Sequence, residues 1–280
     1  MARPTMNDMH IDSAMTQVSI QYKNATYIAE QIFPVVQVEK VSDFYFIYPK
    51  DDWFRDEATA HAPGTRARRI DYTISSASYV CVRHSMAAVV TDAERANADA
   101  PLRPDIDKTN LVTSKILLAM ERRVASIVTT CTNWTSASNP SVLWSDDASD
   151  PVNDIENLKM AIMQNTGAVP NTVVMGQEVF SRLARHPDLL EKIKYTERGV
   201  LTAPTLASIL GVPKILVGTT IYNSAKEGAT ASMAFIWGKH FWMGYVPETP
   251  ALAIPAAGYV FQWGNREVKR FREDQEEQDV

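Results

Sequence analysis

The stretch "DWFRDEATAHAPGTRARRIDY", residues 52–72, decides the fold through what flanks it. It is polar, carries both signs of charge and is broken at Pro63-Gly64, a dipeptide that marks a turn. The segment before it, "VEKVSDFYFIYP" (38–49), crowds Val, Phe, Tyr and Ile together, the residues that suit a pleated, half-buried surface. The segment after it alternates: Ile70, Tyr72 and Ile74 point one way, Asp71, Thr73 and Ser75 the other, and Val80 and Val82 resume the apolar side. Both segments read as strands, so the polar stretch is the tip of a long hairpin. An arm over residues 38–49 would reach roughly 40 Å at about 3.3 Å per residue. A two-stranded hairpin standing alone is marginal in water. Another surface must therefore cover it.

The 280 residues, 22% charged and 45% hydrophobic, are enough for a sizeable core and ordinary for a globular protein. A net charge of -5 argues against a protein whose main task is gripping nucleic acid by neutralising phosphates. Cys81 and Cys131 are the two cysteines; they form no CxxC knuckle or disulfide framework, which suits a reducing compartment. The N-terminus lacks the apolar core of a secretion signal, and no window approaches the ~18 apolar residues of a membrane span. No internal repeat is visible. The closing run "REDQEEQD" (272–279) reads as a solvated tail.

Working outward, "NATYIAEQIFPVVQV" holds a short helical turn that Pro34 stops. Beyond the hairpin, the proline-punctuated "AERANADAPLRPDID" leads into a long helix predicted over 107–130, capped by Asp105 or Asp107. Val112, Ile116, Met120, Val124 and Ile127 recur at helical spacing, with Leu117 and Val128 widening the stripe, and Ile116 and Met120 are expected to be buried. The Ser-, Asn-, Asp- and Pro-rich stretch 132–151 reads as a domain boundary. After it come a helix from Asp150 to Gly167, a strand at 172–175, helices at 177–185, 187–194 and 204–210, and a strand at 214–218. Aromatic strand patterns return in "MAFIWGKHFWMGYVP" and "ALAIPAAGYVFQW", and "REVKRFRE" follows. The class is α+β.

Catalytic chemistry finds little support. Asp51, Asp52, Asp56, Glu57 and His61 match no metal-ligand spacing, and water at a hairpin tip leaves carboxylates untuned. His84, Ser85 and Asp92 lack a GxSxG elbow or a glycine-rich oxyanion loop and read as strand-end residues. The histidines at 10, 61, 84, 186 and 240 supply no zinc pair, and "SDDASDPVND" lacks the glycine and terminal glutamate of a calcium loop. No phosphate-cradling glycine motif occurs, and "GTTIYNSAKEG" frames a turn. No cofactor, metal or catalytic residue is therefore expected. Arg66, Arg68 and Arg69 form the one compact basic cluster, and on an acidic chain they suit pairing with another copy's carboxylates better than DNA.

In this order and spacing, "NATYIAEQIFPVVQV", "GTRARRIDYTISSASYVCVRH", "ERANADAP" and "ILLAMERRVASIV" resemble the major capsid proteins of tailed bacteriophages. The match runs on through "VVMGQEVFSRLARHPDLLEKIK", "LASILGV", "VGTTIYNSA" and "GYVFQWG", almost the whole chain. The resemblance implies the Johnson fold: an N-terminal arm (1–36), an extended loop hairpin (37–83) and a peripheral domain (84–134) with its spine helix. An axial domain (135–235) follows, and then axial strands that return to the peripheral domain (236–280). It implies hexamers and pentamers in an icosahedral shell around a double-stranded DNA genome, built in the host cytoplasm and found in the virion. The extended loop would then touch a neighbouring subunit through Trp53, Phe54, Arg55, Arg66, Arg68 and Arg69.

The implied partners are further copies, a portal protein at one vertex, a decoration protein and packaged DNA held by weak, sequence-blind contact; a membrane is not among them. The arm begins almost at Met1, so the scaffolding protein is expected to be a separate chain. Family members usually continue past the last charged run, whereas this sequence stops at Val280, so the resemblance leaves the completeness of the final peripheral strand open. Two rival readings are an encapsulin-like compartment, which shares the fold and encloses proteins, and a cytoplasmic hydrolase using His84, Ser85 and Asp92. Shell contents separate the first, and particle against small oligomer the second.

Overall fold

The structure, a computed structural model, describes residues 26–99, 102–135, 137, 139–194, 201–251, 254–265 and 268. The acidic run at 272–279 lies outside them, as do most of "REVKRFRE" and residues 1–25 of the arm. In chain order the elements are α1 (Ala29–Ile32), β1 (Val35–Val38), β2 (Ser42–Ile47), α2 (Lys50–Trp53), β3 (Ser75–Val80), α3 (Asp92–Ala96) and α4 (Pro104–Thr129). There follow α5 (Pro151–Thr166), β4 (Thr172–Gly176), α6 (Gln177–Leu183), α7 (Pro187–Ile193) and α8 (Ala203–Leu210). The last are β5 (Lys214–Gly218), β6 (Ile221–Asn223), β7 (Met233–Phe235), β8 (Phe241–Gly244) and β9 (Val260–Trp263). The described residues form two compact units, one within Val35–Arg83 and Tyr259–Val280 and the other within Met1–Pro34 and His84–Gly258.

In the hairpin unit β2 and β3 pair antiparallel from Ser42 opposite Val80 to Ile47 opposite Ser75. This ladder is about half as long as the expected arms. Pro49, which has no N–H for a ladder, ends the first arm and introduces α2. Across from it Ile70, Tyr72 and Ile74 lie outside any strand and are exposed. Cover for the ladder comes from β9, which runs parallel to β1. Phe261 stacks on Tyr79 at 4.5 Å and meets Tyr45 at 5.5 Å. Trp263 Nε1 donates to the Glu39 carbonyl at 3.1 Å.

The second unit is built around β4, parallel to β5 and antiparallel to β8. Every residue of β4 is buried, which is why it reads as an unbroken run rather than an alternation. Ile155 of α5, Leu183 of α6, Leu189 and Ile193 of α7, and Leu206 and Leu210 of α8 join Val173 and Met175 in one core. Helix α5 opens where the sequence predicts, on an Asp150 carboxylate that accepts from Asn153 N at 2.9 Å. It closes at Gly167, whose φ of 68° is left-handed. The expected boundary at 132–151 lies inside this unit. Tryptophans pin it down: Trp134 Nε1 donates to the Val128 carbonyl and Trp144 Nε1 to Asp154, each at 2.8 Å, and the Trp134 ring meets Trp242 at 5.3 Å.

Helix α4, the spine, begins at Pro104 rather than 107, because proline suits a first helical position whose N–H has no partner anyway. The expected caps are used otherwise. Asp105 pairs with Arg95 at 3.1 Å, and Asp107 accepts from Arg103 N at 3.2 Å. The apolar stripe is also corrected: Ile116 and Met120 are only half-buried and Ile127 is 55% exposed. The buried side chains are Glu121, Ala125 and Val128.

Glu121 has no exposed surface. Its Oε2 accepts from Ala29 N at 2.8 Å and Ile28 N at 3.1 Å, and its Oε1 from Trp237 Nε1 at 2.7 Å and the Thr220 hydroxyl at 3.5 Å. A carboxylate on the spine thus takes up backbone N–H groups at the start of α1 that the helix itself leaves unpaired. Trp237 reaches it by lying across Gly218, where a Cβ would stand 2.1 Å from the indole. Gly176 admits the next residue: a Cβ there would stand 1.8 Å from the Gly238 carbonyl oxygen.

Candidate functional site

The hairpin tip, residues 48–74, is folded by its own contacts. Ala62-Pro63-Gly64-Thr65 forms a turn closed by Thr65 N to the Ala62 carbonyl at 3.1 Å, with Gly64 at φ 84°, the positive angle this turn needs at its third residue. Tyr48, Trp53 and Tyr72 meet at centroid distances of 6.1 to 6.3 Å. Asp52 closes the base, accepting from Thr73 N at 3.0 Å and the Thr73 hydroxyl at 2.7 Å. These bonds hold its carboxyl below the usual value, so one tip carboxylate is tuned, contrary to the expectation for a water-bathed loop.

Of the six residues expected to touch a neighbour, Trp53 is 59% and Phe54 69% exposed. Arg55 and Arg68 converge on Glu57 of their own chain, at 3.5 and 3.7 Å, so part of the basic cluster is already engaged within the subunit. Arg66 and Arg69 are exposed, with no partner among the described residues.

Strand alternation gives the hairpin two unlike faces. Tyr45 and Tyr79 share the one covered by Phe261. On the other, Phe44, Phe46 and Val80 are 68, 65 and 68% exposed, opposite Ser78, Ser76 and Ser42. Two phenyl groups so exposed leave on the order of 200–300 Å² of ring surface in water, close to the size of patch that marks an interaction site. This face was missed as a site from sequence, although the unbroken run "FYFI" signals apolar side chains on both sides of the strand.

The acid-base candidates are not brought together into a site. His84 and Ser85 are exposed, and Asp92 pairs with Arg95 at 2.6 Å in the first turn of α3. A buried serine and histidine do meet elsewhere: Ser149 Oγ lies 3.0 Å from His186 Nε2. His186 Nδ1 accepts from Asp188 N at 3.4 Å and its Nε2 lies 3.3 Å from the Asp146 carbonyl, to which Ser149 Oγ donates at 2.7 Å. A serine nucleophile directs its proton at the imidazole, whereas this hydroxyl donates to a backbone carbonyl, and the pair braces the start of α7. Among the described residues no group of three His, Cys, Asp or Glu is placed to hold a metal ion, and no helix is long and apolar enough to cross a membrane.

Comparison with known proteins supplies the context for this geometry. The family described as Phage major capsid protein E matches residues 138–230. The major capsid protein of Burkholderia phage BcepMu is 31% identical over 242 residues, 85% of this chain and 76% of the relative. That of Pseudomonas phage JBD67 is 27% identical over 267 residues, 91% and 84% of the two chains. A phage-related protein of Bordetella bronchiseptica RB50 superposes with a TM-score of 0.61 at 27% identity, over 84% of this chain and 76% of its own. The capsid of cyanophage P-SCSP1u, at 12% identity, shares the fold with a TM-score of 0.54 over 88% and 80%. The encapsulin and hydrolase readings gain no support from these relatives. The chain belongs to the major capsid proteins of phages, a structural component of the virion with their α+β fold.

Proposed function

We propose that the chain assembles with copies of itself, as hexamers and pentamers, into an icosahedral shell around the double-stranded DNA genome of a tailed phage. In this reading the hairpin is its clasp on the neighbouring subunit, through the bare face of Phe44, Phe46 and Val80 and through Trp53, Phe54, Arg55, Arg66, Arg68 and Arg69 at the tip. One observation carries it: the same two-stranded sheet is covered by aromatic rings on one face and left to water on the other. The family's structural role, and a Ser149 hydroxyl that donates to a backbone carbonyl rather than to His186, support a protein that is not an enzyme. A scaffolding protein, a portal protein and a decoration protein complete the assembly, which takes place in the host cytoplasm. With a net charge of -5 the subunit holds packaged DNA weakly and without regard to sequence.

The test removes the tip. Replacing residues 48–74 by Asn-Gly joins Ile47 to Ser75 through a turn that closes hairpins well. Circular dichroism and melting should stay those of the parent, and sedimentation should show no shells. Shells of normal size, or an unfolded chain, would refute the clasp.

A further inference from the structure

A groove in the unit that holds the spine helix has no part in the reading so far. It encloses about 1430 Å³, above the roughly 300–1,000 Å³ of small-molecule pockets, and so has room for a length of polypeptide. Its lining is largely apolar and includes Leu143, 64% exposed, and Phe235, 38% exposed, beside the half-buried Trp144. Part of the lining is basic. Arg182 in the last turn of α6 and Arg185 just beyond it are exposed, and their guanidiniums have no partner among the described residues. Lys239, also in the lining, lies 3.9 Å from Glu178. A phosphate backbone would satisfy the arginines but leave Leu143 and Phe235 in water. The occupant needs exposed aromatic rings with carboxylates close by.

The hairpin tip has that chemistry. Trp53 and Phe54 are largely exposed and stand between Asp51 and Asp56. Asp52 and Glu57 are engaged locally, with Thr73 and with Arg55 and Arg68, whereas Asp51 and Asp56 are exposed with no partner among the described residues. We infer that the groove of one copy receives the tip of a neighbouring copy, with Phe54 and Trp53 on the apolar lining and Asp51 and Asp56 facing Arg182 and Arg185. The inference rests on the clasp reading and names the surface that the clasp grips. Burying two aromatic anchors inside a ring of complementary charge is the usual anatomy of a specific interface.

The experiment is a reciprocal charge exchange followed by assembly in sedimentation. Arg182→Glu with Arg185→Glu, and separately Asp51→Arg with Asp56→Arg, should each lower shell yield by about tenfold through like-charge contact. All four substitutions together should restore it to within about threefold, because the pairs act as one unit. All four positions are exposed, so melting should not change. The inference is overturned if either double variant assembles like the parent or if the combination fails to recover. Cross-linking gives a second reading that does not depend on charge. With Cys81 and Cys131 replaced by Ser, copies bearing Phe54→Cys are mixed with copies bearing Leu143→Cys and oxidised after assembly. A covalent dimer of the two kinds of chain is expected, and its absence would count against the groove. If the Asn-Gly shortening stops assembly while the groove variants assemble normally, the clasp stands and this groove is not its seat.

Discussion

Glu121 and the pair Phe44 and Phe46 both stand where their chemistry does not belong, one a carboxylate without exposed surface and the other two rings about two-thirds in water. The chain resolves the first misfit by itself, bringing donors from α1, from Thr220 and from Trp237 to the two carboxylate oxygens. It leaves the second open. β9 covers the tyrosine face of the hairpin and nothing among the described residues covers the phenylalanine face. An unpaired buried polar group costs its full desolvation wherever the subunit is, so it must be satisfied before the subunit is stable. Exposed apolar surface costs far less and can wait for a second molecule. On the clasp reading, folding and assembly then depend on separate sets of residues, which the substitutions below test.

The most severe break is Glu121→Leu. It leaves the N–H groups of Ile28 and Ala29 and the Trp237 indole N–H buried without an acceptor, at about 1–3 kcal/mol for each group. A loss on the order of 3–5 kcal/mol in urea unfolding is expected, with shells absent because subunits are unfolded. A loss under about 1 kcal/mol would remove one side of the comparison.

The second break strikes the hairpin. Phe44→Lys with Phe46→Lys should change subunit stability by no more than about 0.5 kcal/mol, since both rings are already in water. Shell yield should nevertheless collapse, because the charges would have to be buried without partners. If melting falls as far as it does for Glu121→Leu, the face belongs to the subunit's own fold and the two regions do not differ in kind.

What could be read in the sequence follows the same division. Local signals carried local structure: Asp150 and Gly167 bracket α5, and β4 and β5 stand where apolar runs end at glycine. Glu121 gave no local signal of its role, because its partners lie 92 to 116 residues away. The trace it does leave is positional. It follows Leu117 by four and precedes Ala125 by four and Val128 by seven, a carboxylate on the apolar stripe of a helix. The ends of β3 were misjudged because alternation marks an extended chain, not a paired one; Tyr72 alternates as predicted yet packs with Tyr48 and Trp53 rather than in a ladder. The groove left no motif, since residues from 128 to 257 meet there only after folding.

The smallest predicted effect separates a tip shaped by its own chain from one shaped by its neighbour. Thr73 holds the Asp52 carboxyl below its ordinary 3.8, first through its backbone N–H and then through its hydroxyl. A folded value below the unfolded one means that the contribution is present above the ordinary carboxylate range and is lost as pH falls through the lower, folded value. Because the group is exposed, solvent keeps the effect on stability small. Titrating the Asp52 carboxyl by NMR in unassembled subunits should therefore already give a midpoint below 3.8. Thr73→Val, which removes the hydroxyl and keeps the N–H, should move it upward without restoring it fully, and subunit melting at neutral pH should not change. The opposite result is informative. A carboxyl that titrates normally in the free subunit and is lowered only in shells would mean that the neighbour orders the tip. The contrast with Glu121 would then extend beyond the bare aromatic face to the whole hairpin end.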